Sequence, residues 1–139
     1  MSDIKYNNKW FKSGLELLND VLYGKWKFII IWNLTDKPLR FSDLRKNIPS
    51  ITDRMLSLQL KELEEEGFVE RIVTEGNPPK IDYKITDKTT SLIPALSSLE
   101  SYGRKLAEIK VEAPVQTKTK AKEAPLTLSE DEESFFDQL

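Results

Sequence analysis

In the stretch ITDRMLSLQLKELEEEG, Ile51 to Gly67, hydroxyl and basic side chains gather near the start and acids near the end. Turning each residue by roughly 100° about a helix axis brings Leu56, Leu60 and Leu63 together, as a face that a core must cover. Arg54, Ser57, Leu58 and Lys61 then cluster on the opposite side. These types suit base edges in a DNA major groove: arginine for guanine O6 and N7, serine for either base type, an apolar side chain for the thymine methyl. Thr52 suits the N-cap of such a helix, and its hydroxyl could also hydrogen-bond a phosphate. The acidic run from Glu62 to Glu66 sits where a helix inserted N-terminus first would leave the groove, so its repulsion of phosphates is tolerable there. The competing explanation is a merely solvated face, since single exposed leucines and surface Arg and Lys are common.

The absent residue types narrow the other chemistries. The chain has no cysteine, hence no disulfide framework, CxxC pair or thiol switch. It has no histidine either, which removes the usual zinc sites, His-based triads and Cys–His pairs. Carboxylates remain, yet no calcium loop or Walker lysine loop occurs, and pairs such as Glu64 and Glu65 read as solvated surface. No catalytic residue, metal site or cofactor is expected, and an enzyme is the least supported class.

The elements that must hold this helix follow from periodicity. Phe11, Leu15, Leu18 and Leu22 recur at helical spacing, predicting a helix from Trp10 to Tyr23 that stops at Gly24. A second helix, Lys25 to Asn33, is apolar on nearly every side and therefore central, with Trp26 in the core. DKPLRF turns at Asp36 to Pro38 into a short strand, and SDLRKNI forms a short helix ending before Pro49. After the Ile51–Gly67 stretch, FVERIVT and KIDYKIT alternate as strands on either side of the turn EGNPP. A last helix spans Asp87 to Glu108, with Pro94 kinking it or marking its effective start.

This order predicts a mainly α fold with a small β-hairpin wing, an α+β winged helix-turn-helix whose second helix enters the major groove. Arg40, Ser42, Arg45 and Lys46 flank or occupy the short helix, where they either touch phosphate or form local ion pairs. Pro78 and Pro79 stiffen the hairpin tip that presents Asn77 and Lys80 to a minor groove or backbone. Arg45, Lys46, Arg54, Lys61, Arg71 and Lys80 could converge on one face, with Glu64 and Glu70 elsewhere.

Three segments carry a further resemblance: GKWKFIIIWNL, RFSDLRKNIPSITDRMLSLQLKELEEEGFVER and NPPKIDYKIT. In that order and spacing they resemble the HxlR-type branch of the MarR-like winged-helix transcriptional regulators, over roughly Gly14 to Lys105. The resemblance implies a homodimer held by the first and last helices, with two recognition helices reading successive half-sites of double-stranded DNA, a palindromic operator. It places the recognition segment at Thr52 to Lys61 and the wing at Glu75 to Lys80. Several members of that branch sense oxidants or electrophiles with a cysteine near the N-terminal helix, a mode this chain cannot use. A glycine usual shortly after the wing is also absent, with Thr89 near its place, which leaves the start of the last helix open.

The residues themselves also argue for assembly. Leu92, Leu96, Leu99 and Leu106 form a stripe that a small body cannot wholly cover, and Phe11 and Leu15 lie on the first helix, so a symmetric homodimer is expected.

Charge divides the chain. Through Lys110 there are 18 basic and 16 acidic residues, and from Val111 onward 3 and 7. We therefore expect a domain over 1–110 and, over 111–139, a polar, Pro-interrupted tether ending in the acidic tip LSEDEESFFDQL. The tip is either a passive tail, a competitor for the basic face, or a docking motif for a protein partner. The longest apolar run, FIIIW, is too short to span a bilayer, and MSDIKYNNK lacks a signal-peptide core, so a soluble, cytoplasmic protein is expected. Two functional classes stay open: a dimeric, sequence-specific DNA-binding regulator, and a winged-helix protein-interaction module whose acidic tail docks on a partner.

Overall fold

The computed structural model describes the backbone of residues 2–112 and the side chains of residues 2–109. Two units divide between Ser97 and Ser98. The acidic tip and most of the expected tether lie outside the described residues.

The first unit opens with a departure from the helix expected at Trp10. Strands β1 (Ile4–Tyr6) and β2 (Lys9–Phe11) form an antiparallel hairpin in which Tyr6 pairs with Lys9. Its two-residue turn is Asn7-Asn8, with φ of 48° and 62°. Positive φ at both central positions is what a type I′ hairpin turn requires, and asparagine tolerates it better than most residues. Helix α1 (Gly14–Val21) therefore starts only after Ser13, whose Oγ accepts from the Glu16 amide at 3.1 Å. The Glu16 carboxylate in turn accepts from the Lys12 amide, which closes off the helix start.

Helix α2 (Lys27–Asn33) supplies the centre of the core through Ile30 and Ile31, with Trp26 and Phe28 packed at its edge. Helix α3 (Phe41–Asn47) and helix α4 (Asp53–Glu65) form the helix-turn-helix. Leu44, Ile48 and Ile51 fill the space beneath their junction. The expected short strand before α3 is reduced to one residue: Leu39 exchanges both backbone hydrogen bonds with Tyr83, at 2.9 and 2.8 Å.

Strands β3 (Val69–Thr74) and β4 (Lys80–Ile85) form the expected wing, in register from Val69↔Ile85 to Thr74↔Lys80. At its tip, a Cβ on Gly76 would lie 3.2 Å from the Pro78 carbonyl oxygen, a tight contact that glycine avoids. The single last helix expected from Asp87 is divided into α5 (Asp87–Thr90) and α6 (Ile93–Glu112). Pro94 falls in the first turn of α6, where its missing N–H costs nothing. Thr89 is fully buried, and its hydroxyl donates to the Phe68 carbonyl at 2.7 Å, so that position anchors α5 beneath the wing. Among the described residues no helix is long and apolar enough to cross a membrane.

Candidate nucleic-acid interface

Helix α4 is held at both ends by local chemistry. At the start, Thr52 Oγ1 accepts from the Met55 amide at 3.1 Å, satisfying one of the donors that a helix N-terminus leaves unpaired. The hydroxyl proton stays available to donate outward. At the end, Gly67 adopts φ +81°, its amide bonds to the Glu64 carbonyl and the Phe68 amide to the Leu63 carbonyl, a Schellman closure. Lys88 Nζ donates to the Glu66 carbonyl at 2.7 Å, and Thr86 Oγ1 to the Gly67 carbonyl at 2.6 Å. Helix α4, the base of the wing and α5 are thereby tied together.

The side chains of α4 separate as the periodicity predicts. Leu56, Leu60 and Leu63 are buried, and each contributes about 1.5–3 kcal/mol on burial, enough to set which way the helix faces. Arg54, Ser57, Leu58 and Lys61 are all exposed, Leu58 at 45%. Thr52, Arg40, Ser42 and Lys46 are exposed as well, and so are Asn77 and Lys80 at the wing. No described ion pair involves Arg54, Lys61, Arg40 or Lys46. Arg45 differs: its guanidinium is paired with Asp53, the first residue of α4. Lys80 lies 3.7 Å from Asp82 and Lys84 3.8 Å from Glu70, both loose surface pairs that water and salt weaken.

Of the residues expected to dimerise, Phe11 and Leu96 are buried inside the chain and Leu92 packs against the same core, so these three are taken up by the fold of one copy. The physical cause is the hairpin, which turns Phe11 inward, and the packing of Leu92 and of Leu96 in the first turn of α6 on the core of the first unit. Leu15 on α1 is 75% exposed. In the second unit, Leu99, Tyr102, Leu106 and Ile109 are exposed at spacings of three, four and three along α6.

One contact of α4 was not anticipated. Lys27, in the apolar helix α2, is 2% exposed, and its Nζ donates to Glu62 Oε1 at 2.6 Å. The same ammonium lies 4.9 Å from the centroid of the Tyr23 ring. The available signal was a lysine directly ahead of the apolar run FIIIW, since a buried charge needs a partner. Beside this pair a cavity of about 290 Å³ opens under the hairpin, lined among others by Tyr6, Asp20, Glu65 and Glu66. Among the described residues no group of three acidic side chains is placed to hold a metal ion.

Comparison with known proteins adds to this geometry. Residues 21–111 match the HxlR-like helix-turn-helix family. The chain is 39% identical over 103 residues to YdeP of Bacillus subtilis, an uncharacterized HTH-type transcriptional regulator, covering 73% of this chain and 80% of that one. It is 47% identical over 83 residues to BH0655 of Halalkalibacterium halodurans, similarly described, covering 59% of this chain and 74% of that protein. Among solved structures, the redox regulator HypR in its oxidized form superimposes with a TM-score of 0.64 at 40% identity, covering 67% of this chain and 96% of that one.

Proposed function

The chain belongs to the HxlR-like helix-turn-helix family of transcriptional regulators, and from that premise we propose that it binds double-stranded DNA as a homodimer at a palindromic operator. Each copy inserts α4 into a major groove, and its wing lies on the adjacent backbone or minor groove. The observation that carries this reading is the division of α4: its leucine stripe is buried while Arg54, Ser57, Leu58 and Lys61 stand exposed on the other side. Arg54 is suited to guanine, Ser57 to either base type and Leu58 to a thymine methyl. Thr52, Arg40, Ser42, Lys46 and Lys80 supply phosphate contacts that set position rather than sequence.

Dimerisation is supported by the second unit's own surface. Leu99, Tyr102, Leu106 and Ile109 follow the a and d spacing of a coiled-coil seam and are exposed among the described residues. Leu15 offers a separate exposed apolar residue on α1. The interaction-module alternative draws no support from the relatives, which are named as transcriptional regulators.

Selection of bound sequences from a random duplex pool tests the proposal. Enrichment of a palindrome whose half-sites lie one helical turn apart is expected. No enrichment, from a folded protein at low salt, overturns it.

A further inference from the structure

Lys27 is the one buried charged side chain among the described residues, and it spends its charge on the recognition helix. Its partner Glu62 is 34% exposed on the side chain, so the pair joins the core at one end and solvent at the other. Around α4, Glu62 lies roughly 80° from Arg54, on the flank between the buried leucines and the exposed face. That placement gives the contact a mechanical role distinct from that of the leucines.

Apolar burial is non-directional. Leu56, Leu60 and Leu63 decide which side of α4 faces inward, but all three lie on one side of its axis. A directional contact on the flank adds a restraint against rolling to theirs and to that of the Lys88 and Thr86 bonds at the C-terminal end. A charge-assisted hydrogen bond of 2.6 Å is short and directional. The axis-to-surface distance of a helix is about 5–6 Å, so a roll of about 10° moves the exposed side chains by about 1 Å. A binding constellation must be held within about 0.5 Å. The flank contact thus acts where the leucines are least restrictive. Buried ionic groups are poor sources of net stability, and their best-attested use is to select one packing arrangement, such as a register, over its alternatives.

We propose that Lys27 is a positioning residue for DNA reading: through Glu62 it fixes the roll of α4, and so the aim of Arg54, Ser57 and Leu58, without touching DNA itself. This rests on the DNA-binding reading above.

The test uses the full chain carrying Lys27→Met, which keeps an apolar stem of similar length and removes the charge. Two quantities are read: residual dipolar couplings of the α2 and α4 amides, and affinity for the selected duplex and a scrambled one. We expect the α4 couplings to depart from the wild-type orientation while those of α2 fit unchanged. Affinity for the selected duplex should fall about tenfold, with discrimination reduced and the salt slope the same, because no phosphate contact is lost. A merely structural role moves neither discrimination nor the couplings. Glu62→Gln, which keeps the shape and an acceptor oxygen, should shift both in the same direction by less, and wild-type couplings in both variants overturn the proposal.

Wild-type α4 couplings in the variant overturn the proposal whether or not DNA is bound. Shifted couplings with unchanged affinity and discrimination overturn it as well. A wild-type chain that enriches no duplex removes the DNA reading and the purpose of the Lys27–Glu62 contact together, and shifted couplings tell that outcome apart from failure of the contact to set the roll of α4.

Discussion

Arg45, in the last turn of α3, is ion-paired with Asp53, the first residue of α4, across the turn of the helix-turn-helix. Asp53 is 75% exposed and Arg45 33% on the side chain, so the pair is reached by water and contributes about 0–1 kcal/mol to stability. Its larger effect is on charge: it neutralises a cation beside the exposed face of α4 that carries Arg54, Ser57, Leu58 and Lys61.

Asp53→Asn should therefore release Arg45 to a phosphate at little cost to the fold. The expected result is tighter binding to any duplex, with the salt slope steeper by about one ion per subunit. Fluorescence anisotropy titrations at several salt concentrations measure both, and an unchanged slope would show that Arg45 does not reach DNA.

Arg54 and Lys80 should separate specificity from affinity. Arg54→Ala should cost about 1–3 kcal/mol at the cognate site and relax preference at one position in each half-site. Lys80→Ala should weaken all sequences alike and flatten the salt dependence by about one ion. If Arg54→Ala leaves affinity and preference intact in a repeated duplex selection, the assigned face is wrong.

The Lys27–Glu62 pair should respond asymmetrically in urea unfolding. Glu62→Gln leaves a buried ammonium with a neutral acceptor and should cost about 1–3 kcal/mol, because the charge that offset its burial is gone while an oxygen still accepts its hydrogen bond. Lys27→Met leaves instead a carboxylate that water already reaches, and should stay within about 1 kcal/mol of the wild type. Equal losses from both substitutions would mean that burial of Lys27 is not what governs the pair.

Assembly should depend on the second unit. Light scattering should report a dimer at tens of micromolar, and Leu106→Glu should shift it to a monomer while leaving the circular dichroism of the wing and core region unchanged, because Leu106 is exposed in the single copy. A monomeric wild type at that concentration rules the homodimer out.

The sequence by itself determined the faces of α4 and the pairing of the wing, because both depend on short repeats. A helix places Leu56, Leu60 and Leu63 on one side whatever surrounds it, and a two-period strand on each side of EGNPP sets the register. Thr52 as cap and Gly67 as terminator are equally local. The N-terminal hairpin was not read: its local signal is the pair Asn7-Asn8, whereas the leucine spacing beyond it extends the expected helix back over Phe11. Only the tertiary structure decided which partner each side chain took. Lys27 and Glu62 are 35 residues apart, Arg45 turns to Asp53 rather than outward, and Leu92 and Leu96 enter the core of their own chain instead of continuing the exposed stripe. Periodicity states that a side chain belongs to a face. What covers that face is settled by packing between elements distant in sequence, where a buried charge takes the one partner that can reach it and an apolar residue takes the nearest space that excludes water.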